Sequence, residues 1–101
     1  MFAEELKRLR VDQKLPQRLV AASLDVDTAT YCKIEKGERK ARKEHISILS
    51  KVLKVNKDKL MTLWLADKIS SIAIEEKKFA AEALEIANQN LVSVKNNGTK
   101  K

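Results

Sequence analysis

The sequence predicts an all-α fold, and three observations carry that prediction. The 101 residues contain only two Gly and one Pro, too few punctuators for the many turns of a β-sandwich or barrel. Apolar residues make up 44% of the chain, ordinary for a folded domain, yet aromatic residues are scarce, so the core must be built from Leu, Ile, Val and Ala. Most of the apolar residues also recur at intervals of three and four, the spacing that lines one face of a helix.

The first helix is expected from Phe2 to about Gln13, with Phe2, Leu6, Leu9 and Val11 at helical spacing and Glu4, Glu5, Lys7, Arg8 and Arg10 between them. A second, short helix starts at Pro16, whose missing N–H costs nothing in a first turn, and runs to Ser23. Leu19, Val20 and Ala22 offer its inward face, and Ala21 allows close approach of another helix. Leu24-Asp25-Val26 then forms a tight corner, where Asp25 tolerates the left-handed region better than most residues. Asp27 is a natural N-cap for a third helix that extends to Lys36 and stops at Gly37. A charged link, Glu38 to Lys43, leads to a fourth helix over about 44–53, striped by Ile46, Leu49 and Val52 or Leu53. Asn56 caps a fifth, apolar helix that ends near Ser70 or Ser71, and a sixth covers about Glu75 to Val92. Three regions follow: a domain over 1–66, a helical extension over 67–94, and a polar, frayed tail over 95–101.

The net charge is +7, and most of the excess falls before residue 67. Lys33, Lys36, Arg39, Lys40, Arg42 and Lys43 crowd one stretch against Glu35 and Glu38. Such a cluster attracts polyanions, nucleic acid first and an anionic membrane second, although charge alone is equally compatible with a solvated lysine-rich surface. Arg42 and Lys43 sit at the start of the fourth helix, where positive charge opposes the helix dipole and a bound phosphate would relieve the misfit. One Cys and one His allow no disulfide within the chain and argue against a metal-ligand set, so neither a metal nor a cofactor is expected. No paired acids or acid–base constellation supports an enzyme. His45 reads as an exposed or half-buried helix residue, Cys32 as a small filler, and Trp64 as core. No secretory leader and no membrane span is evident, which makes a reducing, cytoplasmic setting the expectation.

Residues 16–37 therefore form two short helices joined by a corner, the outline of a helix-turn-helix. Around it stand LKRLR at 6–10, Gln17, VAASLDV at 20–26, YCKIEKGERK at 31–40 and LSKVLKV at 49–55. In this order and spacing the stretches resemble the Cro/phage-repressor (XRE-type) helix-turn-helix family over roughly residues 3–65. The resemblance implies a compact five-helix, lambda-repressor-like DNA-binding domain with an additional C-terminal helix. It implies a small transcriptional regulator, a repressor of bacterial or phage origin acting at the nucleoid. Carried over by position, Thr28, Ala29 and Lys33 would contact bases. Gln17, Arg18, Thr30, Lys36, Arg39, Lys40 and Arg42 would lie at or near phosphates. Glu35 would tie helices together through an ion pair with Arg10. The chain departs from the family where Asp25 and Lys54 stand in place of a common Gly.

The partners expected are double-stranded DNA and a second copy of the chain. Leu65, Ile69, Ile72, Phe79 and Leu84 exceed what a five-helix core needs and are expected to form a homodimer interface. The alternative is a C-terminal helix that caps the monomer. An antitoxin holding a toxin through residues 67–94, a restriction–modification controller, and an interaction adaptor without DNA binding are the remaining readings.

Overall fold

The computed structural model describes residues 1–98, with side chains to 94, and all regular elements among them are helices. They are α1 (Phe2–Asp12), α2 (Gln17–Ser23), α3 (Thr28–Glu35), α4 (His45–Val52), α5 (Lys57–Glu75) and α6 (Lys77–Gly98). The chain divides into a unit from Met1 to Asp67 and a second unit beginning at Lys68. α5 runs past Ser70-Ser71 because Ile72-Ala73-Ile74 continues the helix and no Gly or Pro interrupts it. α6 likewise runs beyond Val92 to Gly98. Of the tail expected to fray from residue 95, the backbone of 95–98 is helical, and 99–101 lie outside the described residues.

In the first unit α3 packs against α1 and α2, and α2 also meets α4. Leu6, Val20, Tyr31, Ile46, Leu49 and Leu53 are fully enclosed. Each such aliphatic side chain contributes about 1.5–3 kcal/mol by leaving water. Trp64 packs against this core and donates from Nε1 to the Ala41 carbonyl at 2.7 Å, which fixes the α3–α4 link to α5. Gln13 donates its side-chain amide to the Leu53 carbonyl, and the Phe2 N–H donates to Asp67 Oδ2 at 2.9 Å.

The inward face of α2 differs from the expected one. Val20, Ala21 and Leu24 are buried, whereas Leu19 is 46% exposed and Ala22 is exposed too. Ala21 is therefore part of the packed face of α2, in the same core cluster as Tyr31 and Ile34 of α3. His45 is also buried rather than exposed or half-buried, since it shares the α4 face of Leu49.

α1, α2, α3 and α4 all end in left-handed residues: Lys14, Asp25, Gly37 and Lys54, with φ between 54° and 77°. After α1 the Leu15 N–H reaches the Arg10 carbonyl (3.1 Å) and the Lys14 N–H reaches Val11 (2.9 Å). After α2, Val26 reaches Ala21 and Asp25 reaches Ala22, both at 3.1 Å. After α3, Glu38 reaches Lys33 (2.9 Å) and Gly37 reaches Ile34 (3.1 Å). These are Schellman closures, which satisfy the orphan carbonyls of a helix end. The Val55 N–H makes the corresponding bond to Ser50 after α4, at 3.0 Å. Leu15, Val26 and Val55, each directly after the left-handed residue, pack on the core as the motif requires.

A Cβ in this region costs about 1–2 kcal/mol, partly offset by the greater unfolded-state entropy of Gly. Lys54→Gly should therefore stabilise the fold by about 0.5–1 kcal/mol in urea titrations. Gly37→Ala should destabilise it by about 1 kcal/mol. The latter is a pure backbone effect, because a Cβ at Gly37 would meet only the Ala3 Cβ, at 3.9 Å. A stability loss on Lys54→Gly would refute the strain argument.

Candidate nucleic-acid interface

α3 begins where Asp27, in an extended conformation, accepts the Thr30 N–H on Oδ1 at 2.7 Å. That hydrogen bond, with the positive charges of Arg39 and Lys33 behind it, holds the Asp27 carboxyl below its ordinary pKa. An ionised Asp27 suits the positive end of the α3 dipole. The cap fixes the phase of the helix. Tyr31, Ile34 and Glu35 point inward, and Thr28, Ala29, Lys33 and Lys36 are exposed. At about 100° per residue, the exposed four fall within an arc of about 140°. Cys32 is free, half-buried and on the same side.

The two acids of the basic stretch are treated differently. Glu38 stays on the surface, but Glu35 is buried. Arg10 grips it with two hydrogen bonds, Nε to Oε2 at 2.6 Å and Nη2 to Oε1 at 3.0 Å, which is the ion pair expected from the resemblance. Burial alone would raise the Glu35 pKa, but the hydrogen bonds from Arg10 and Gln17 outweigh it and hold the carboxyl below its usual value. Beside it Tyr31 is buried, and burial first, then the Glu35 carboxylate, raise the phenol pKa so that it remains neutral.

Turning Glu35 inward leaves Glu38 as the one exposed acid among the six basic residues of 33–43. Arg8 is paired with Glu5 at 2.7 Å and with Asp12 at 3.0 Å, on the surface of α1. By contrast Arg18, Lys33, Lys36, Arg39, Lys40 and Arg42 are all exposed, and none makes an ion pair among the described residues. Their charge is available to a polyanion.

Thr30, Arg39, Lys40 and Arg42 come together around one cleft of about 60 Å³, lined also by Val26, Ile34 and His45. Arg18 lies apart from it, on α2. Gln17, expected at the phosphate backbone, is half-buried and directs its amide N–H to Glu35 Oε1 at 3.2 Å. The carboxylate thereby gains a further donor from α2. Sequence reasoning also missed His45 in this cleft. Its i, i+4 spacing to Leu49 was the available signal. His45 Nδ1 makes no hydrogen bond to a protein group. Burial, and after it the charge of Arg42, lowers its pKa below the ordinary 6.5.

The unfolded chain therefore takes up the His45 proton more readily than the folded one. The His45 contribution to stability is fully present above about pH 6.5 and is lost as the pH drops below it. Because His45 is the only histidine, urea midpoints at pH 7.5 and 5.5 should differ for the wild type and agree for His45→Gln. Equal wild-type midpoints would show that His45 charges freely in the fold.

A short helix behind a capped corner, exposed along one arc and ringed by unpaired cations, defines a helical DNA-binding domain. A family model described as helix-turn-helix matches residues 6–60, more than half of the sequence, and the chain belongs to this XRE-type family. It is thus a DNA-binding transcription regulator in the general sense of that family, whose members are typically not enzymes. Neither a curated protein nor a solved structure matches the chain. Among the described residues no group of three or more His, Cys, Asp or Glu could hold a metal ion. No helix among them is long and apolar enough to cross a membrane.

Proposed function

We propose that this protein binds double-stranded DNA sequence-specifically, as a cytoplasmic homodimeric repressor on a palindromic operator. The observation that carries the reading is the exposed arc of α3, Thr28, Ala29 and Lys33, set among cations that make no ion pair among the described residues. Lys33 donates to guanine O6 or N7, Thr28 donates or accepts, and the Ala29 methyl touches a thymine methyl. Arg39, Lys40 and Arg42 clamp phosphates from the α3–α4 link, with Lys36 and Arg18 to either side. With so few base readers, DNA shape supplies part of the specificity.

Two-fold pairing places two α3 helices about one DNA turn, roughly 34 Å, apart. The exposure of Leu65, Ile69, Ile72, Phe79 and Leu84 supports the pairing, since each leaves apolar surface in water. Repression follows from occupancy of the operator by the dimer.

Selection of duplexes from a random pool tests the reading. Enrichment of a palindrome is expected, and duplex binding without any enriched sequence would overturn specificity. Binding should also weaken steeply with salt, with a log–log slope of about −0.9 per neutralised phosphate. A co-purifying small protein seated on residues 67–94 would instead favour the antitoxin reading.

A further inference from the structure

His45 opens α4 at the wall of the small cleft beside α3, and it is the one histidine of the chain. The residue is 7% exposed, and its Nδ1 is enclosed without a hydrogen-bond partner. Enclosed polar atoms are nearly always paired, so an unpaired one marks a place where a ligand or a water belongs. The cleft sets the sign of that ligand. Around the imidazole stand Arg39, Lys40 and Arg42 of the α3–α4 link, with Glu44 beside it in the chain. The corner and α3 contribute Val26, Thr30 and Ile34, none of them charged. Asp27 is engaged as the cap of α3 and lies in the field of Arg39. α2 also packs on α4, but its one charged residue, Arg18, is exposed. α5 reaches the link through Trp64, which is neutral. Three cations thus meet at the cleft, and none of them makes an ion pair among the described residues. Such a cleft takes an anion.

We propose that a backbone phosphate of duplex DNA seats in this cleft between Arg42 and His45, and that the imidazole takes up a proton as the phosphate enters, so that DNA binding tightens as the pH falls. This rests on the regulator reading above and adds a regulation to it. Thr30 lines the cleft directly after Ala29, so the cleft adjoins the exposed arc of α3. A duplex laid on that arc brings its backbone there. In the free protein, burial first and then Arg42 favour the neutral ring, and Glu44 opposes them only in part. A phosphate reverses the balance, because it neutralises Arg42 and sets negative charge beside the ring. The protonated ring carries an N–H on each nitrogen and offers the phosphate a charged donor. The coupling is reciprocal: an anion that raises the proton affinity of His45 is itself held more tightly by the protonated ring. Lys and Arg keep their charge throughout the neutral range, so the pH dependence falls to the histidine.

A single histidine makes the test direct, since its ring C2 proton gives one titrating imidazole resonance in the full chain. That resonance is followed from about pH 8 to about pH 5.5 for the protein alone, with a mixed-sequence duplex, and with inorganic phosphate. The duplex should raise the titration midpoint by about one pH unit or more, the effect of an opposite charge at contact distance. By linkage, the dissociation constant for the same duplex should fall by up to about tenfold across that range, read by fluorescence anisotropy at constant ionic strength. His45→Gln should bind with a dissociation constant that barely changes with pH, and circular dichroism checks its fold. Should that variant fail to fold, the wild-type resonance decides alone. Duplex binding with a midpoint moved by less than about 0.3 pH unit, as a distant screened charge would leave it, overturns the proposal and leaves the regulator reading standing. An equal rise with inorganic phosphate alone overturns the assignment to the DNA backbone and gives the cleft to a free anion. Absence of duplex binding at every pH overturns the regulator reading and the proposal together.

Discussion

Glu35→Ala should lower the unfolding free energy by about 3–5 kcal/mol, because it strands a partly buried guanidinium without its carboxylate. Glu35 has a side-chain exposure of 2% and Arg10 of 13%, so solvent screens the pair little. The pair also reaches beyond its two residues. Gln17 Nε2 adds a donor from α2, and Arg10 Nη1 donates at 2.8 Å to the Leu15 carbonyl, in the closure that ends α1. One carboxylate thus connects α1, α2 and α3. A domain of this size has about 5–15 kcal/mol of total stability, so the loss is a large part of it. Arg10→Met/Glu35→Leu should recover most of the loss, since an apolar pair carries no desolvation cost. Urea midpoints of the single and double variants check both statements. A cost for Glu35→Ala below about 1 kcal/mol would mean that the pair behaves like a surface contact.

The same pair sets part of the acid limit of the fold. The Glu35 pKa is lowered in the folded state from the ordinary 4.5. A depressed carboxyl contributes stability that is present above the unfolded pKa and lost as the pH falls through the folded one. The Glu35 contribution is therefore intact at pH 6 and disappears below about 4.5, where the loss from His45 has already begun.

The parts that were legible in the sequence are those decided locally. Asp27 and Gly37 bracket α3 because a cap and a left-handed stop are properties of single residues and their neighbours. With both ends fixed, the phase of α3 follows, and with it the exposure of Thr28, Ala29 and Lys33. α2 was read one step out of phase because seven residues make barely two turns. Leu19 and Ala22 satisfy helical spacing as well as Val20 and Ala21 do. The close approach of α3, a tertiary constraint, selects the face that carries the smaller residue. The hydrogen bond from Gln17 to Glu35 was not legible for a similar reason, since only the fold brings the start of α2 beside that buried acid. Lys14 gave no warning of its left-handed backbone, although Leu15 after it repeats the pattern of Asp25-Val26 and Lys54-Val55. A break between the fifth and sixth helices was read a few residues too early, since no Gly or Pro marks Glu76.

Lys33→Ala and Arg39→Ala/Lys40→Ala should weaken DNA binding in two distinguishable ways. Lys33 projects from the exposed arc of α3, one turn beyond Ala29. Its loss should cost about 1–3 kcal/mol on the preferred duplex and relax the preference at one base position, with little effect on unrelated duplex. Arg39 and Lys40 line the cleft beside Thr30, away from the exposed arc of α3, and are proposed to meet phosphates only. Their joint loss should weaken preferred and unrelated duplexes alike and make the log–log salt slope shallower by about 1.8, that is 0.9 for each phosphate released. Fluorescence anisotropy at several salt concentrations separates the two patterns. If Lys33→Ala also flattened the slope and spared the sequence preference, Lys33 would be a phosphate contact and the base reading would pass to Thr28 and Ala29 alone. Neither variant should move the urea midpoint by more than about 0.5 kcal/mol, because all three side chains are exposed and make no ion pair in the fold. Glu35→Ala should show the opposite behaviour, with stability lost and no exposed side chain of the arc removed. Within one short helix and its flank, the residues that hold the fold and the residues proposed to meet DNA are therefore separable by experiment.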